Sequence, residues 1–96
     1  MTFHFFTKEH EPEEVKEILF KNGFRTNITQ DTMFTDGVFG ITQNYRGNRF
    51  QIVGEGARDI FEKGKQSEYF TRFKEIAKIL GANEVQTFYR EKYSLE

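Results

Sequence analysis

The 96-residue chain has no cysteine, a single proline, two histidines and no long apolar run. Without cysteine, a disulfide framework, a thiolate zinc site and a cysteine nucleophile are all excluded. Small secreted domains commonly depend on disulfides, so the expected setting is reducing and cytoplasmic. No stretch approaches the roughly 20 apolar residues that span a bilayer, and no membrane association is expected. Residues 1–7 lack the basic start and small-residue cleavage site of a signal peptide. His4 and His10 stand six positions apart, one in a Phe- and Thr-rich segment and one in a charged stretch. That spacing matches no ligand pattern, so no metal site is expected. Paired-carboxylate catalysis needs one acid in an apolar pocket, and no segment points to one. Cofactors and catalytic residues are accordingly expected to be absent.

Aromatic residues take the place of the missing staples. The chain holds 12 Phe and 4 Tyr within an apolar fraction of only 36%. Each buried aromatic removes about 150–250 Å² from water, so a few of them make a compact core. A chain of this length supports one core, and residues 1–96 are read as a single domain. The formal net charge is −1, unlike the basic footprint of a dedicated nucleic-acid binder. The charge is unevenly placed. Residues 1–20 carry five glutamates against two lysines, whereas residues 21–58 carry five basic side chains against three acidic ones.

Residues 2–7 suit a strand. Pro12, with Glu11, Glu13 and Glu14 around it, marks a helix N-terminus, where proline lacks no needed donor and carboxylates oppose the dipole. Val15, Ile18 and Leu19 recur at helical spacing. Asn22-Gly23-Phe24 reads as a Schellman-type stop in which Phe24 returns onto Leu19. From Arg25 to Val53 the pattern is β. Asp36-Gly37 marks a two-residue hairpin between 32–35 and 38–42, and the turn Asn44–Asn48 leads to a strand over 49–53. A short helical turn is expected over 57–64. A longer helix is expected over about 68–80, with Ser67 as its N-cap and Gly81 as its stop. Residues 85–93 alternate as one last strand, with Val85, Thr87, Tyr89 and Tyr93 on one face. The order β-α-β-β-β-α-β predicts an α+β two-layer sandwich: an antiparallel sheet with two helices on one face, a variant of the ferredoxin-like arrangement.

Four features are candidates for function. The turn Tyr45-Arg46-Gly47-Asn48-Arg49 puts Tyr45, Arg46, Asn48 and Arg49 at a hairpin tip, and Tyr and Arg are enriched where partners bind; a purely structural polar turn is the competing account. Glu9, Glu11, Glu13, Glu14 and Glu17 form either an acidic docking patch for a basic partner or a solvated helix face favoured by the dipole. Gly54-Glu55-Gly56 has the G-x-G start of a phosphate cradle but lacks its third glycine, so a tight turn accounts for it equally. The sheet face opposite the helices offers Phe88 and Arg90, with aromatics from the first strand, for stacking bases or for a second subunit.

The expected function is therefore a non-catalytic protein-binding module: a small inhibitor, adaptor or regulatory protein of the size that phages and mobile elements encode. The alternative is a nucleic-acid-binding domain that uses the aromatic and arginine sheet face with the 45–49 turn. A homodimer is compatible with either.

Overall fold

The computed structural model describes residues 2–27, 33–82, 84–87 and 92–94. The chain is α+β. Its strands are β1 (Phe3–Phe6), β2 (Arg25–Thr26), β3 (Met33–Thr35), β4 (Gly40–Gln43), β5 (Arg49–Val53), β6 (Glu84–Thr87) and β7 (Lys92–Ser94). Its helices are α1 (Pro12–Lys21), α2 (Glu55–Lys63) and α3 (Phe70–Ile79), with a 3-10 turn at Gly64–Gln66. The sheet runs β2-β3-β4-β5-β1-β6-β7, and every neighbouring pair is antiparallel.

β1 lies inside the sheet, with Phe3 opposite Ile52 on one side and Thr87 on the other. Strand alternation divides its residues. Phe3 and Phe5 are buried with Phe50, Ile52, Ile41 and Val85, while His4 and Phe6 lie on the opposite face with Arg49 and Gln51. The buried residues of all three helices join the Phe3–Phe5 side in one core. Phe73 of α3 stands edge-on to Phe3 and Phe5, with ring centroids 5.1 and 4.9 Å away, and Phe39 approaches it at 6.2 Å. Aromatic edges meeting aromatic faces in this way add to the burial itself.

The α1 stop is as the sequence predicts. Gly23 has φ 91°, the Phe24 N–H donates to the Leu19 carbonyl at 3.0 Å, and both side chains are fully buried. Arg72 then fastens this end of α1 to α3. Its guanidinium donates to the Asn22 carbonyl (2.7 Å) and to Asp36 (3.3 Å) while lying over the Phe24 ring.

Several expectations are corrected. Among the described residues the sheet has seven strands rather than five, and there are three α-helices rather than two. What reads as one strand over 85–93 is two, with Val85 paired to Tyr93 across a reversal. The hairpin after β3 has a four-residue loop, not a two-residue one. Asp36 Oδ1 accepts from the N–H groups of Val38 and Phe39, and the extra residues deliver Phe39 into the core. The short turn expected over 57–64 is the nine-residue α2, which buries Ala57 and Ile60. α3 starts at Phe70, three residues after Ser67, which therefore does not cap it. The Ser67 hydroxyl instead donates to Asp59 (2.5 Å) and accepts from the Tyr69 N–H (3.1 Å), tying α2 to the approach of α3.

Candidate functional site

The turn Asn44–Asn48 is held from inside and from behind. Asn44 Oδ1 accepts from the N–H groups of Asn48 and Arg49 at 3.1 and 3.0 Å, and its amide donates to Asn48 Oδ1. The segment between β1 and α1 clasps the turn. The Thr7 N–H donates to the Asn48 carbonyl (3.0 Å) and the His10 N–H to the Gly47 carbonyl (2.8 Å). Gln43 Nε2 returns a bond to the His10 carbonyl at 2.8 Å. Gly47 is required here on two counts. Its φ is 76°, and a Cβ on it would stand 2.5 Å from the His10 carbonyl oxygen.

His10 anchors the same segment to the far helix. Its Nε2 lies 3.1 Å from the Leu80 carbonyl at the end of α3. A carbonyl can only accept, so Nε2 carries the proton. The ring packs near Phe50 with centroids 6.0 Å apart, and Glu14 lies 3.5 Å from Nδ1. His4 is on the other face of the sheet, so the two histidines do not converge on one site. Among the described residues no cluster of three or more His, Asp or Glu side chains could hold a metal ion.

Between the clasped turn and the start of α1 lies a cleft of about 440 Å³. Phe34 and Pro12 contribute apolar lining, and Tyr45 and Arg46 line the turn side. Tyr45 is 90% exposed. Arg46 lies over its ring, Cζ 5.4 Å from the centroid, with Nε donating to the phenol oxygen at 3.0 Å. Glu9, Glu11, Glu13 and Lys16 line the cleft from α1 and the segment before it. Two sequence features more than thirty positions apart thus share one concavity.

The remaining candidates separate. Asn48 is occupied in holding the turn. Arg49 belongs to the outer sheet face, where it shares a shallow hollow of about 120 Å³ with His4, Thr42 and Gln51. Phe88 and Arg90 lie outside the described residues. Glu14 faces His10, and Glu17 forms a 3.0 Å ion pair with Lys21. The Gly54-Glu55-Gly56 segment is occupied structurally: the Gly56 N–H donates to the Val38 carbonyl at 3.1 Å, and a Cβ on Gly56 would stand 2.6 Å from the Phe39 ring. Sequence reading did not select His10, Gln43 and Asn44 as the clasp. Only Asn44, an amide at the start of a turn, carries a local signal for that role.

Burial, and secondarily the Arg49 guanidinium, hold the His4 imidazole below its ordinary value of 6.5. The folded chain therefore favours neutral His4, and the unfolded chain takes up the proton first on acidification. Stability contributed by the neutral ring is present above the ordinary value and declines as pH falls below it. Urea denaturation between about pH 7.5 and 5.5 is expected to show this decline, and H4Q to flatten it; equal slopes in both proteins would assign the decline to other groups.

No helix among the described residues is long and apolar enough to cross a membrane. Comparison with protein-family models, with curated proteins and with solved structures returns no match.

Proposed function

We propose that this chain is a non-catalytic protein-binding module whose contact surface is the Tyr45-Arg46 side of the cleft. One observation carries the reading: a large aromatic is 90% exposed at the tip of a turn that is hydrogen-bonded on both sides. Leaving a ring in water is unfavourable, and fixing its backbone beforehand lowers the entropy lost on docking. Tyr and Arg are also the side chains that most often dominate binding energy when a partner covers them. We read the central strands β4-β5-β1-β6, with α1 following β1 and α2–α3 following β5, as a ferredoxin-like arrangement. The β2–β3 hairpin and β7 extend it. Such scaffolds host many functions, so the site and not the fold supports the proposal.

The nucleic-acid reading has less support. Phe3, Phe5 and Phe50 face the helices, which leaves Phe6 as the described aromatic that β1 and β5 offer to the outer face. Arg46 lines the cleft beside α1 whereas Arg49 lines the hollow on the outer sheet face, which weighs against one basic track.

The test is affinity capture from lysate with the tagged chain and its Y45A variant, each with and without nuclease. A nuclease-resistant, stoichiometric protein is expected with the parent chain and is expected to be reduced about tenfold or more with Y45A. Thermal stability should be unchanged, because this ring is in solvent. Capture that disappears with nuclease would favour nucleic acid. Capture unaffected by Y45A would move the contact surface elsewhere, and recovery of untagged copies of the chain would identify a homodimer.

A further inference from the structure

The five glutamates around the start of α1 are not equivalent. Glu17 is paired with Lys21, and Glu14 stands against His10. Glu9, Glu11 and Glu13, which line the cleft, make no ion pair among the described residues. The cations that share the cleft are directed at rings: Arg46 lies over Tyr45, and the Lys16 ammonium is 5.6 Å from the Phe20 centroid. Helix-dipole preference explains acid at the first turn, where Glu13 lies, but not Glu9, which precedes the helix. The cleft therefore combines three carboxylates that form no ion pair, against two cations turned toward rings, with an aromatic ring that already holds a guanidinium against its π-system.

We infer that the cleft receives an arginine-bearing, basic segment of a partner protein. The inference rests on the binding-module reading and names the chemistry of its partner. An incoming guanidinium offers planar donors to the carboxylate wall and a flat cation to the exposed tyrosine. A lysine satisfies the charge but not the fork geometry or the stacking. An acidic segment or a nucleic-acid backbone would meet the carboxylates with like charge.

The probes are three capped pentapeptides with two arginines, two lysines or two citrullines spaced by glycine, titrated into the full ¹⁵N-labelled chain. Citrulline keeps the shape of arginine without its charge. The arginine peptide is expected to shift the amide resonances of Glu9, Glu11, Glu13, Tyr45 and Gly47, the lysine peptide to bind more weakly, and the citrulline peptide to leave them in place. Replacing the three cleft acids (E9Q/E11Q/E13Q) should weaken arginine-peptide binding roughly tenfold, since each exposed pair contributes a small increment. The E14Q/E17Q variant removes two acidic charges outside that trio and should bind nearly as the parent does. Shifts spread over the whole surface, equal loss in both variants, or no arginine-dependent shift would overturn the assignment. If Y45A still abolishes protein capture while the arginine peptide fails to bind, the module reading stands and the basic occupant falls.

Discussion

F73A is expected to lower the unfolding free energy by about 3–5 kcal/mol. The Phe73 ring is 2% exposed and is surrounded by Phe3, Phe5, Phe39 and Phe70, whose centroids lie 4.9–6.2 Å away. Truncation removes the transfer contribution of the ring and leaves a void that rigid neighbouring rings fill poorly. Small domains are stable by only about 5–15 kcal/mol, so this one change removes a large part of the total. Urea denaturation followed by circular dichroism reads the effect directly. A loss below about 1 kcal/mol would mean that the core is not centred on this ring.

G47A is the second large effect, and it bears on the cleft as well as on stability. An alanine at φ 76° incurs roughly 1–2 kcal/mol from the left-handed backbone. Its methyl would also displace the His10 carbonyl, breaking the bonds from His10 N–H and Gln43 Nε2. With about 0.5–1.5 kcal/mol for each of the two bonds, the expected cost is around 2–5 kcal/mol. Amide exchange should quicken at His10 and Asn48 before it does in β1. Partner capture should fall although Tyr45 and Arg46 are intact. A G47A chain of unchanged stability that still captures its partner would show that the turn does not need this clasp.

Local signals in the sequence carried the helix ends and the turns. Asn22-Gly23-Phe24 specifies its stop within three residues, because the left-handed glycine, the returning amide and the apolar contact are all adjacent in sequence. Asp36-Gly37 marks the reversal, but not its length, which depends on a core site for Phe39 that no neighbour in sequence reveals. α2 was obscured by Gly54 and Gly56, residues that weaken a helix and are accepted here because the backbone passes close to Val38 and Phe39. The reversal between β6 and β7 has no Gly, Pro, Asn or Asp at 88–91 to announce it. For the site, the sequence named both walls of the cleft and gave no sign that they face one another. Their meeting depends on Thr7, His10 and Gln43 bonding across more than thirty positions, and distance of that kind leaves no periodic trace.

The placement of β1 has a consequence for how the chain is made. Its four residues leave the ribosome well before the two strands that flank them, 49–53 and 84–87. Until then Phe3–Phe6 presents two open edges and three phenylalanine rings with no partner strand on either side. Pairing at such separations is slow, and exposed apolar strands are prone to associate while they wait. The acidic stretch from Glu9 to Glu17, next along the chain, gives the nascent segment a charge that opposes its meeting another copy of itself.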